Sequence, residues 1–138
     1  MKGGEIMRLN QDCIRALLLT IEDATFEELV NEIDIDEFSS KPLLEKFAED
    51  DIKYTALLLH QAGYISARHQ GYDSTLNMLF TVSGITWQGH RFLDTVRDNK
   101  VWSDTKSVVS KFSSVSISMV ETIASNVITQ LINKQLGL

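Results

Sequence analysis

The stretch from Asp51 to Ser83 constrains this chain most. An amphipathic segment carrying Ile52, Leu58, Leu59 and Ala62 runs into Gly63, and two strand-like segments follow with no linker. Gly63 suits the left-handed residue that ends a helix. Tyr64 to His69 reads as one strand and Leu76 to Ser83 as the other, joined by Gln70-Gly71-Tyr72-Asp73-Ser74. In the return strand Leu76, Met78, Phe80 and Val82 alternate onto one face, the period of a half-buried strand. Gly84 closes the hairpin. Thr86 then caps a helix whose inward stripe is Phe92, Leu93 and Val96.

Upstream, Asn10 caps a helix over Gln11 to about Ala24, with Cys13, Ile14, Leu17, Leu18 and Ile21 at helical spacing. Phe26 to Ser40 supports two readings. Thr25 with Glu27, Glu28 and Glu32 suits a helix start, whereas the alternation from Val30 to Asp36 suits a strand. A strand from about Glu28 to Phe38 is preferred. Pro42 starts a short helix to Ala48 with Leu43, Leu44 and Phe47 inward. The acidic turn Glu49-Asp50-Asp51 joins it to the helix Asp51 to Ala62, a helix-turn-helix pair.

Helix, helix, helix, hairpin, helix is the order of a winged-helix domain. The expected fold is therefore α+β, mostly α: a winged helix-turn-helix over 1–99 with a helical extension over 100–138. In the extension, Trp102 to Lys111 forms a short helix, Phe112 to Val115 a linker, and Ser116 caps a last helix to about Leu136.

Four stretches carry a family likeness: Asn10 to Arg15 through Ile21-Glu22, Asp51 to Tyr54 through Gly63-Tyr64-Ile65, Thr86 to Asp98 with Gly89-His90, and the terminal Leu136-Gly137-Leu138. Through them the chain resembles the YjcQ-like family, small proteins of low-GC Gram-positive bacteria and their phages. The resemblance implies a winged-helix fold and residence in mobile elements, and it implies no activity. Relatives often carry histidine after the Tyr54 equivalent, where this chain has Thr55.

Catalytic chemistry finds no foothold. His60, His69 and His90 are scattered, and one cysteine, Cys13, completes neither a disulfide nor a zinc set. Cys13 falls on the apolar side of its helix, as a buried thiol does. No Gly-x-Ser-x-Gly elbow or glycine-rich phosphate loop occurs. Neither a signal h-region nor a run of about 18 apolar residues is present. The expectation is a cytoplasmic non-enzyme with no cofactor, no metal, no small-molecule substrate and no membrane partner.

Two recognition readings stand. In the first, the protein is a DNA-binding regulator, dimeric and phage-related. Lys53, Tyr54, Leu57, His60 and Gln61 from the recognition helix and Arg68, His69, Gln70 and Tyr72 from the wing would contact duplex DNA. In the second, the module is a protein-interaction adaptor. Between Glu22 and Asp51 twelve acids face only Lys41 and Lys46, which opposes general affinity for polyanions. The last helix carries a wide stripe of Ile117, Val120, Ile123, Ala124, Val127, Ile128, Leu131 and Ile132. That stripe must be covered, either by this chain, with Trp87, Trp102 and Phe112 as cover, or by a second copy or another protein.

Overall fold

Asn10 starts the first helix as its side chain predicts: Oδ1 accepts the Cys13 N–H at 3.0 Å. The helix α1 runs Gln11–Glu22 in the computed structural model, which describes residues 7–138. Its stripe of Cys13, Ile14, Leu17, Leu18 and Ile21 is buried, and each larger aliphatic chain contributes roughly 1.5–3 kcal/mol. Burial also raises the Cys13 thiol above its usual pKa, so it is a packing group.

Over 26–40 local capping overrides the alternation. Thr25 Oγ1 accepts the Glu28 N–H at 3.1 Å and the Glu28 carboxylate accepts the Thr25 N–H at 2.9 Å. This reciprocal box launches α2, Phe26–Val30. A second box, between Asp34 and Glu37, launches a 3-10 helix over Ile35–Ser40. The predicted strand from Glu28 to Phe38 thus shrinks to β1, Ile33–Asp34. Side chains that satisfy helix-start N–H groups win over a period that a strand of this length could also have used.

Residues 42–46 are turns rather than the predicted helix. Lys41 O accepts from Leu44 N and Glu45 N, and only Phe47 N→Leu44 O follows. Lys41, at the position where an N-cap would stand, has no side-chain acceptor to start a helix. The helix α3 covers Glu49–Gln61, so Glu49, Asp50 and Asp51 lie in its first turn, not before it, where carboxylates favour the positive helix end. Its buried face is Ile52, Thr55, Ala56 and Leu59; Leu58 and Ala62 fall off that face. Gly63, at φ +79°, ends α3, with Tyr64 N bonded to Leu59 O at 2.8 Å and Gly63 N to His60 O at 3.1 Å.

The hairpin pairs β2, Ile65–Tyr72, with β3, Met78–Ile85, in an antiparallel sheet of order β1-β3-β2. The register shifts between Ser66 and Ala67 and again between His69 and Tyr72. Met78, Phe80 and Val82 are buried as the alternation predicts, but Leu76 is not. The connection lies at 73–77, later than predicted, and Leu76 sits in it at φ +64°.

Thr86 binds the hairpin to the next helix, donating to Gly63 O at 2.6 Å and accepting from Gly89 N at 3.1 Å. The helix α4 runs Trp87–Val96. A Cβ on Gly89 would stand 2.0 Å from Tyr64 O, so only glycine permits this approach.

The chain divides within α4 into two units, one ending at His90 and one beginning at Arg91. In the second unit α5, Asn99–Val109, is capped by Asp98, and α6, Ile117–Gln135, by Ser116. Trp102 is buried, whereas Trp87 is 82% exposed and Phe112 60% exposed. The class is α+β, mostly helical, with one small antiparallel sheet. No described helix is long and apolar enough to cross a membrane.

Candidate recognition surface

The nine residues predicted for a nucleic-acid surface all lie on α3 and β2, but they do not present one cationic face. The Lys53 Nζ lies 3.5 Å from Asp36 Oδ1 and 3.4 Å from Asn77 Oδ1. Asn77 in turn donates to Asp36 Oδ2 at 3.3 Å. Arg68 is held in a two-pronged contact by Glu32, with Nη2 to Oε2 at 2.7 Å and Nε to Oε1 at 3.3 Å. Thr81 Oγ1 donates to the same carboxylate at 2.6 Å. The Thr81 hydroxyl and then Arg68 hold the Glu32 carboxyl below its usual pKa. Residues on either side of β1 therefore clamp the hairpin through Thr81 and Arg68 on one side and Asn77 on the other.

His60 turns onto the hairpin, its ring edge-on to Phe80 with centroids 5.7 Å apart. His69, exposed, lies beside both Tyr72 and Phe80. Gln61 and Gln70 are exposed. Tyr54, Leu57 and Lys53 from α3 and Tyr72, Leu76 and Met78 from the hairpin line a groove of about 290 Å³. With Met7, two aromatic rings and four apolar chains dominate it, and Asp50 adds a carboxylate to the lining.

Leu76 was missed as a surface residue because its alternation matched the core. It is 82% exposed, and its loop is fastened by Asp73. The Asp73 Oδ1 accepts from Thr75 Oγ1, Thr75 N and Asn77 N at 2.7, 2.8 and 3.0 Å. The Thr75 hydroxyl and then the backbone N–H groups hold the Asp73 carboxyl below its usual pKa. Asp73 was the available signal, since such a residue hydrogen-bonds its own backbone two residues on.

On α6 the predicted stripe divides. Val120 and Ala124 are buried where α6 packs along α5. Ile117, Ile123, Val127, Ile128 and Leu131 are half-buried, and Ile132 is 51% exposed. Among the described residues no group of three or more His, Cys, Asp or Glu is placed to hold a metal ion.

Comparison with known proteins adds kinship without chemistry. The model of a family described as hypothetical protein DUF2513 matches residues 8–116. An uncharacterized protein of Haemophilus influenzae is 31% identical over 127 residues, covering 91% of this chain and 99% of the relative. No solved structure matches. A family without a stated activity is what the resemblance implied, but the match does not reach the YjcQ-like assignment itself.

Proposed function

This chain belongs to the DUF2513 family of hypothetical proteins, and we propose that it works as a non-catalytic winged-helix recognition module that engages a protein rather than duplex DNA. The order α1, β1, α3, β2, β3 and the β1-β3-β2 sheet support the winged helix. The 3-10 helix and turns over 35–46 stand where its second helix would run.

One observation carries the partner class: Asp36 engages Lys53 and Glu32 engages Arg68. A phosphate would have to displace a carboxylate already in place, beside the three acids of the first α3 turn. Since phosphate neutralisation supplies most nonspecific DNA affinity, little is left to drive DNA binding. Protein interfaces favour aromatic and apolar anchors, and this face offers Tyr54, Leu57, Tyr72 and Leu76.

The DNA reading is favoured by the element order alone, which is fold analogy. Fluorescence anisotropy against a mixed duplex library separates the two. A flat titration at low salt, where nonspecific contacts are strongest, is expected. Micromolar binding that weakens steeply with salt and collapses in the Lys53→Glu, Arg68→Glu double variant would make the protein a DNA reader.

A further inference from the structure

We infer that the cleft between the end of α1, the start of α2 and the 41–43 turn receives a long cationic side chain, arginine or lysine, from a basic segment with apolar flanks in a partner protein. This rests on the protein-recognition reading above and adds a second contact, sharing no lining residue with the groove beside the wing.

The cleft holds about 400 Å³, within the range of side-chain and small-ligand pockets. Its base is apolar, built from Leu19 and the buried Ile33 and Phe38, and Leu43, 50% exposed, forms a lip. The lining also carries Glu22, Asp23 and Glu28 and one ammonium, Lys41, with the Glu28 carboxylate accepting the Thr25 N–H on one oxygen. α1 ends here with no basic residue in its last turn, so its carbonyl end adds to the negative potential.

Those two properties select one kind of occupant. A wholly apolar chain would desolvate carboxylates without replacing their hydrogen bonds, and an anion would be repelled. A guanidinium or ammonium on a methylene stem meets both demands: the stem lies on the apolar base and the head donates to the rim. Flanking apolar residues would cover Leu43. The acidic lining of this cleft would thereby meet a partner of opposite charge.

The test uses the full chain, labelled with ¹⁵N, and two synthetic peptides. One is acetyl-Leu-Arg-Leu-Arg-Leu-amide; the other carries citrulline, a neutral isostere, at both arginines. Saturable shifts centred on Leu19 to Ala24 and Lys41 to Leu43 are expected for the arginine peptide. The citrulline peptide should bind at least about tenfold more weakly, the worth of a charge-assisted contact. Asp23→Asn and Leu43→Ser should each weaken arginine-peptide binding severalfold while leaving the rest of the spectrum in place. Equal binding of both peptides, no binding, or shifts spread evenly over the acidic surface would overturn the assignment. If the peptide fails while duplex DNA still gives flat anisotropy, only the cleft assignment falls. Salt-dependent DNA binding would remove the protein-recognition reading whatever the peptide does.

Discussion

Among the described residues two non-glycine ones hold a left-handed backbone, Glu32 at the end of α2 and Leu76 in the hairpin loop, and they differ in what they receive for it. Such a conformation costs roughly 1–2 kcal/mol for a residue with a Cβ. At Glu32 the turn aims the carboxylate at Arg68 and Thr81, so internal contacts offset the strain. At Leu76 the side chain is 82% exposed, and Asp73 holds only the backbone there, its carbonyl accepting the Leu76 N–H at 3.0 Å. Strain with an internal return is structural. Strain that holds an apolar side chain out in water points to something outside the chain.

The largest expected effect tests the frame on which both sites hang. Gly89→Ala puts a methyl 2.0 Å from Tyr64 O and 2.7 Å from Ile85 Cγ2, prying α4 from the hairpin. Urea unfolding should show a loss of about 3 kcal/mol or more. A wild-type midpoint would mean the hairpin is not locked at this end.

Next, Glu32→Ala should lower the melting temperature, because it removes the contacts but keeps the left-handed cost. Leu76→Gly should move the other way, stabilising by about 0.5–1 kcal/mol as the strain disappears with no packing lost. If both variants shift in the same direction in thermal melts, the contrast between the sites is wrong.

A pH series sharpens the same contrast. The Glu32 and Asp73 carboxyls are both held below their ordinary values of 4.5 and 3.8. Each therefore contributes stability that is complete above its unfolded pKa and lost as pH falls through its folded pKa. Urea midpoints should drop as pH falls below about 4.5, and Glu32→Gln should flatten part of that slope. An unchanged slope would show that Glu32 is not its source.

The smallest effect is expected at α2, just before Glu32. Phe26 and Val30 are 83% and 63% exposed, so Phe26→Ser and Val30→Thr should each change stability by less than about 0.5 kcal/mol. A larger loss in either would place α2 in the core.

Elements whose signals agree were legible in the sequence. Asn10, Thr86 and Ser116 each precede an apolar helical stripe and each side chain accepts the N–H three residues on. Asp98, which caps an α5 that begins three residues ahead of the expected start at Trp102, was not read as a cap. Gly63 ends α3 as read. Between Thr25 and Phe47 the signals conflict. Two capping boxes compete with an alternating pattern there, and a proline promises a helix that no capping side chain starts. Of the surface, the identity of the α3 and wing residues was legible, but their charge state was not. Lys53 and Arg68 look like cations for phosphate until the fold places Asp36 and Glu32 beside them, 17 and 36 residues away in sequence. The Leu76 position misled because a period of two continues past the strand's true end.

The two register shifts between β2 and β3 bear on how the protein behaves when concentrated. β2 is the longer of the two edge strands of the sheet, where an unbroken ladder of unpaired amides invites edge-to-edge aggregation and fibril growth. The extra residue at Ser66/Ala67 is Ser83 of β3, and the one between His69 and Tyr72 lies in β2 itself, so the pairing breaks near both ends of the strand and its local twist increases. The rim most exposed to self-templating is thus a poor template, leaving the side chains of the wing, not its backbone, to select what it meets.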